Sequence, residues 1–357
     1  MVSNKMKKLL IRPFTYIHDS IGIEATKISI LLGIQVLMLI ITASWTAIFN
    51  IIACVLGAIG ACFINQKINK YDIHDYFALL LCLVQGLITG MLIPSTFNPL
   101  TVFLITVVTM LVVKHLFGGF SYAWANPAIF TVIVLWIVGY RLFPDMDINS
   151  EILAMRNPSQ YLIENGVFRI YKYDSGITDA LNSSIFGLFK VSVPEGYISL
   201  LWDTGSCIPA FRFNLITLVS SLFLFCDNLV KVIIPAAFLI VYSLLIRFLG
   251  PVFFNGVSMQ GDMILALFTS GTFFTAVYVL GWYGTTPSSI QGKLLYGIFA
   301  GISAFFICGG GTSPVGMAFT VLISNIFSII IQQFENRYDR ISLSKMLEEN
   351  RKLQEDM

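Results

Sequence analysis

Charge is the scarcest thing in this chain. Of its 357 residues only 12% are Asp, Glu, Lys or Arg, about half the share of an ordinary soluble domain, while 56% are apolar. A large soluble enzyme with buried helices is the alternative that this deficit argues against. Other absences narrow the chemistry. None of the six cysteines (Cys54, Cys62, Cys82, Cys207, Cys226, Cys308) forms a CxxC pair, which argues against a metal or iron–sulfur centre held within the chain. Most lie in apolar runs, where a thiol acts as a small hydrophobe. No GxGxxG follows a strand-like segment, so no dinucleotide fold is expected. The net charge of +2 is not gathered into a stripe, so nothing points to a nucleic-acid partner. The basic N-terminus (Lys5, Lys7, Lys8, Arg12) is followed by polar residues and not by an apolar stretch, which does not read as a cleavable signal peptide.

What is there is a series of apolar runs near the length needed to cross a bilayer. The mean hydropathy is +0.80. No run has the alternation of a barrel strand, so an all-α polytopic membrane protein is expected. Ten spans are predicted: 28–45, 47–65, 76–94, 100–115 and 127–143, then 208–226, 229–249, 262–282, 291–308 and 315–334. This divides the chain into an N-terminal segment 1–27, a first membrane half 28–143, a polar segment 144–207, a second half 208–334 and a tail 335–357. Lys5, Lys7, Lys8, Arg12 and Lys27 precede the first span, Lys67 and Lys70 follow the second, and Arg337, Arg340 and Lys345 follow the last. The positive-inside rule places these in the cytoplasm, with segment 144–207 outside. The tail reads as a cytoplasmic helix.

The halves resemble each other. Pro94-Ser95-Thr96-Phe97-Asn98-Pro99, a span, then Phe117-Gly118-Gly119 in the first are echoed by Gly284-Thr285-Thr286-Pro287-Ser288-Ser289, a span, then Gly309-Gly310-Gly311 in the second. Five spans per half would invert the second repeat, and Gly/Pro interruptions in matching places point to a site at the repeat interface. Frequent Gly and Pro in membrane loops is the plainer explanation. Ionisable groups are few within the spans. Lys114 and His115 by a glycine turn, and Asp227, Lys231, Arg247 and Asp262 at span ends, read as interfacial groups that reach for water. Trp124, Tyr122, Trp282 and Tyr283 read as aromatic belts.

The polar segment contains Ser175-Gly176-Ile177-Thr178. A threonine hydroxyl can form a phosphoester and so tether a phosphorylated cofactor, provided that it is exposed and on pliable backbone. Gly176 supplies freedom just before Thr178, and Ser175 adds a polar contact. The plain alternative is a glycine turn leading into a short helix, about 178–186, with Thr178 as its N-cap.

Several segments carry a family resemblance. Val113-Lys114-His115-Leu116-Phe117-Gly118-Gly119 followed by Asn126-Pro127-Ala128 resembles the "KHLFGG…NPA" segment of the D subunit of Rnf electron-transport complexes. The B subunit of the sodium-translocating NADH:quinone oxidoreductase is a more distant relative. Gly292-Lys293-Leu294-Leu295-Tyr296-Gly297 resembles "GRLIYG", and the segment from Gly316 to Ile326 resembles "GVAFAVLLMNI". The resemblance implies a membrane subunit of a redox-driven sodium or proton pump in a bacterial inner membrane. It implies FMN esterified to Thr178, with Ser175 and Gly176 in the attachment motif. It also implies partner subunits bearing iron–sulfur and flavin groups, and a flavin-transferring enzyme. A second, non-covalent flavin between the helices stays open. The chain departs from the pattern at Lys172, where an Asp is usual, at Ile177, and at Gly281-Trp282-Tyr283 and Pro314-Val315-Gly316, where two acids are missing. A channel or secondary transporter, and a cofactor-free structural subunit, are the competing readings.

Overall fold

A computed structural model describes residues 20–69, 76–116, 124–144, 148–190, 192–282, 284–310 and 313–355. Among them there is no strand. The helices are α1 (Ile21–Ile41), α2 (Trp45–Asn69), α3 (Tyr76–Leu92), α4 (Pro99–Met110, running into a π-turn at Leu111–His115) and α5 (Pro127–Gly139). Four short ones follow: α6 (Ser150–Ala154), α7 (Pro158–Glu164), α8 (Asp174–Ser184) and α9 (Tyr197–Trp202). Then come α10 (Asn214–Cys226), α11 (Ile233–Phe248), α12 (Gly250–Phe253), α13 (Met263–Thr269), α14 (Thr272–Phe274), α15 (Ile290–Cys308) and α16 (Gly316–Glu355).

Local chemistry sets many of the starts. Ser20, Asn98, Asn126, Asp262 and Ser289 each accept a backbone N–H of the first turn that follows, and Pro99 and Pro127 occupy positions whose N–H needs no partner. α1, α2, α15 and α16 are long and apolar enough to cross a membrane, and five further apolar helices are shorter. Large apolar side chains such as Ile30, Phe49, Leu104, Ile137, Phe223 and Phe306 point outward around the body, the surface of a polytopic membrane protein. The expected span 262–282 is broken. α13 ends at a left-handed Gly271 (φ +67°), α14 takes one turn, and a π-turn covers Thr275–Val279. A Cβ at Gly271 would lie 2.3 Å from the Phe211 ring, so glycine suits both the angle and the space.

The helix ends fall into two groups. At one end Lys27 of α1 pairs with Asp227 just after α10, and Glu335 of α16 accepts from the backbone and hydroxyls of Ser288 and Ser289 before α15. At the other, Arg212 donates to Ser44 Oγ at 2.7 Å, Ser95 N–H to Cys207 O at 2.9 Å, and Thr96 Oγ1 to Leu142 O at 2.6 Å. Ser159 N–H donates to Asp262 at 2.7 Å, and Tyr242 OH reaches Gly309 O. α1 and α10 therefore run antiparallel. The polar segment gathers at this second end.

Glycines set the closest helix contacts. A Cβ at Gly86 would meet Val55 Cα at 2.6 Å, and one at Gly90 would meet Ile51 Cα at 2.6 Å, so α3 presses its backbone on α2. Gly297 and Gly301, also four residues apart, do the same for α15 on α11. Gly90→Val is expected to part α2 from α3 and destabilise the protein by roughly 1–3 kcal/mol, read as a lowered thermal midpoint of the detergent-solubilised chain. Trp136 meets Phe319 edge to face at 5.4 Å, joining α5 to α16.

Two expectations are corrected. Lys114 does not reach for water: it is buried where α2, α3 and the π-turn meet. Trp282 is buried in the core and is not part of a belt, because the broken span turns it inward. The tail is helical, as expected: it continues α16 without interruption to Glu355, because no Gly or Pro separates it from the last span. Lys5, Lys7, Lys8, Arg12, Lys70, Phe117, Gly118, Gly119, Tyr122, Tyr283 and Gly311 lie outside the described residues.

Candidate functional site

The polar segment has a small core of its own, in which Leu162, Ile163, Phe168 and Leu200 pack with Leu265 of α13. Asp262 fastens it to the helical body by capping α13 with one carboxylate oxygen and accepting Ser159 N–H with the other. Ser159 Oγ and Tyr197 OH are 2.8 Å apart inside this joint.

α8 carries the predicted attachment motif, and here the structure differs from expectation. The helix begins at Asp174, four residues before the predicted start, so Ser175, Gly176 and Thr178 all lie within it. Thr178 is neither an N-cap nor exposed. Its side chain is 2% exposed, and Oγ1 donates to Asp174 Oδ1 at 3.1 Å. Asp and Thr four residues apart share one helix face, and this face is turned inward. Ser175 is half-buried; Gly176 is exposed, and a Cβ there would meet nothing within 4 Å.

The physical reason is Asp174. Its carboxylate is wholly buried and accepts Gly196 N–H at 2.7 Å, Ser199 N–H at 2.6 Å and Ser199 Oγ at 2.5 Å, besides Thr178. Contacts from 22 and 25 residues further on hold the first turn of α8 in place, against the low helix propensity of Ser175 and Gly176. The network continues outward. Tyr171 N–H donates to Ser199 Oγ, Tyr171 OH donates to Asp203, Asp203 takes a two-pronged pair from Arg212 (2.8 and 2.6 Å), and Arg212 reaches Ser44 at the end of α1. Thr178 is thus joined to the mouth of the helical body through hydrogen-bonded residues, Tyr171 using its backbone N–H on one side and its hydroxyl on the other. A cavity of about 270 Å³ lies at that mouth, lined by Ser44, Thr46, Ser95, Ser206, Cys207 and Arg212 among others. Tyr171 and Tyr173 stack at 5.3 Å, with the Arg169 guanidinium over Tyr171.

Burial works against ionisation of Asp174, but the N–H and hydroxyl groups of Gly196, Ser199 and Thr178 outweigh it and hold the carboxyl below its usual 3.8. Burial is likewise overcome at Asp203 by Arg212, Gly205 N–H and Tyr171, so that carboxyl is also held low. Folded values below the unfolded ones stabilise fully above the unfolded pKa, and this is lost as pH falls through the folded values. The thermal midpoint is therefore expected to be flat from neutrality to about pH 5 and to decline below about pH 4. In the Asp174→Asn, Asp203→Asn double variant the acid-side decline should be shallower.

Sequence reading singled out Thr178, Ser175 and Gly176, and Asp174 was not among them. It missed Ser199, Tyr171, Asp203 and Arg212. Their one signal is that Asp203 and Arg212 are charges set close to the start of an apolar run. Among the described residues no group of three or more His, Cys, Asp or Glu is arranged to hold a metal ion.

Sequence comparison with known proteins finds relatives. A sequence model of the NQR2, RnfD, RnfE family matches residues 10–339. Similar relatives include the D subunit of the ion-translocating oxidoreductase complex of Salmonella dublin, 23% identical over 305 residues, and that of Salmonella arizonae, 25% identical over 318 residues. Each alignment covers 81% of this chain and 86% of the relative.

Proposed function

The chain belongs to the NQR2, RnfD, RnfE family, and from that premise we propose that it carries FMN on Thr178 and relays electrons in a process coupled to sodium or proton translocation. It is a subunit of an ion-translocating oxidoreductase complex and is not catalytic by itself. Other subunits of that complex are its partners. Those that exchange electrons with it carry iron–sulfur or flavin groups, and a flavin-transferring enzyme modifies it. In this reading the helical body crosses a bacterial inner membrane ten times as two inverted repeats. The Lys27–Asp227 end and the tail face the cytoplasm, and segment 144–207 faces outward.

The observation that carries the site assignment is the hydrogen-bonded path from Thr178 through Asp174, Ser199, Tyr171, Asp203 and Arg212 to Ser44. It ties a hydroxyl in the polar segment to the junction of both helical halves. A flavin supplies the ability to pass one or two electrons. The chain supplies position. Thr178 suits a phosphoester in chemistry and place, but the conformation described here is closed. An esterified Oγ1 has no proton to donate to Asp174, and a phosphodiester beside that buried carboxylate would meet like charge. Attachment therefore requires Thr178 to turn outward, and the open surface at Gly176 is where α8 has room to do so. The Tyr171–Tyr173 stack offers a flat ring a nearby face.

Intact-mass analysis of the tryptic peptide Tyr173–Lys190, from protein made with its flavin-transferring enzyme, tests this. The expected result is the added mass of esterified FMN, fragmented to Thr178. The caged hydroxyl favours a second reading, a structural subunit without flavin. An unmodified peptide from a complex with its other subunits present would select that one.

A further inference from the structure

At the end of the helical body opposite the polar segment, a lysine and two cysteines gather in one buried cluster. Cys82 Sγ of α3 accepts from Lys114 Nζ at 3.1 Å, and Cys62 of α2 lies in the same buried cluster. Lys114 is 5% exposed, Cys82 1% and Cys62 2%. Ala58, Ala61, Met110, Ala78 and Leu79 surround the group. A buried ammonium needs a counter-charge, and among the described residues Nζ donates to the Cys82 sulfur. A neutral thiol is a weak acceptor, whereas a thiolate balances the ammonium charge.

The seam that carries the pair is tight. Gly90 on Ile51 and Gly86 on Val55 bring the α2 and α3 backbones into contact, and Cys82 follows one turn further along the same face of α3. Close backbones are the geometric condition for joining two helices through sulfur. We propose that Cys62 and Cys82 form a redox-active dithiol whose oxidant is a low-molecular-weight disulfide, with Lys114 holding Cys82 as the attacking thiolate and Cys62 as the resolving thiol. The Cys82 thiolate attacks one sulfur of the small disulfide. The bond between its two sulfurs breaks and one small thiolate leaves. Cys62 then attacks the Cys82 sulfur and gives its proton to the second small thiolate as it departs. One Cys62–Cys82 bond forms, and one small disulfide has taken up two electrons and one proton.

The test exposes the assembled complex to 2-hydroxyethyl disulfide, quenches with acid, and alkylates remaining thiols after denaturation for peptide mass spectrometry. Cys62 and Cys82 should lose alkylation together and appear in one linked peptide, well before Cys54 and Cys308, which are equally buried. Lys114→Met should slow this about tenfold or more, and Lys114→Arg should keep most of the rate. Cys62→Ser should stop the reaction at a mixed disulfide on Cys82. Reaction of Cys62 and Cys82 no faster than Cys54 and Cys308, or an unchanged rate in Lys114→Met, would overturn the proposal. Should Lys114→Met fail to assemble, the order of reaction in the unaltered chain and the trapped species in Cys62→Ser decide the matter.

Discussion

Thr178→Ala is expected to bring covalent flavin to background, seen as loss of in-gel fluorescence from the denatured chain, while the helical body still assembles with its partner subunits. The two outcomes separate because Thr178 contributes only one of the four hydrogen bonds to Asp174. Losing that donor costs on the order of 1 kcal/mol, too little to unfold the segment. Thr178→Ser keeps a hydroxyl on the same helix face and loses only a methyl, so it should retain flavin in part. Asp174→Ala is a different case. It frees the Thr178 hydroxyl but also strands the N–H groups of Gly196 and Ser199, so the fold of the polar segment should suffer first. A Thr178→Ala chain that stays fluorescent would move the attachment to another hydroxyl, and Ser175, Ser183 and Ser184 in the same tryptic peptide are the ones to examine.

The largest loss of stability is expected at Arg212. Its guanidinium and the Asp203 carboxylate have side-chain exposures of 12% and 2%, form a two-pronged pair, and tie the polar segment to Ser44 between α1 and α2. Arg212→Met leaves Asp203 charged and buried, with Tyr171 OH and Gly205 N–H as its remaining partners. Removing one member of a buried pair costs about 3–5 kcal/mol. The thermal midpoint of the solubilised chain should fall accordingly, and protease should cut first between 148 and 207. The Arg212→Met, Asp203→Leu double variant removes both charges and should regain much of the loss, as replacement of a buried pair by apolar groups often does. A double variant as unstable as the single one would mean that the link to Ser44, and not the stranded carboxylate, dominates.

The helical runs and the placement of the polar segment between two groups of them were legible in the sequence. Lipid and core both demand apolar side chains, so long runs of Ile, Leu, Val and Phe declare their helices whatever the neighbours are. The caps were legible for the same local reason: Asn98-Pro99 and Asn126-Pro127 act within a single turn. The break at Gly271 was not, because Ser270-Gly271-Thr272 sits in an apolar stretch that suits an unbroken span equally well. What turns it is the Phe211 ring pressed against the glycine from a distant part of the chain.

The candidate site divides along the same line. Composition and patterning by themselves pointed to apolar helices long enough to cross a membrane, and singled out Thr178 as the candidate hydroxyl in the polar segment. Both follow from residue type and short spacing. Only the tertiary structure decided that Thr178 is caged, that Lys114 is inside, and that Arg212 joins the two regions. Each depends on a partner far along the chain: Gly196 and Ser199 for Asp174, Cys82 for Lys114, Ser44 for Arg212. A buried polar group is stable only where its partners are, and what brings those partners together is the packing of whole helices, which no local pattern encodes.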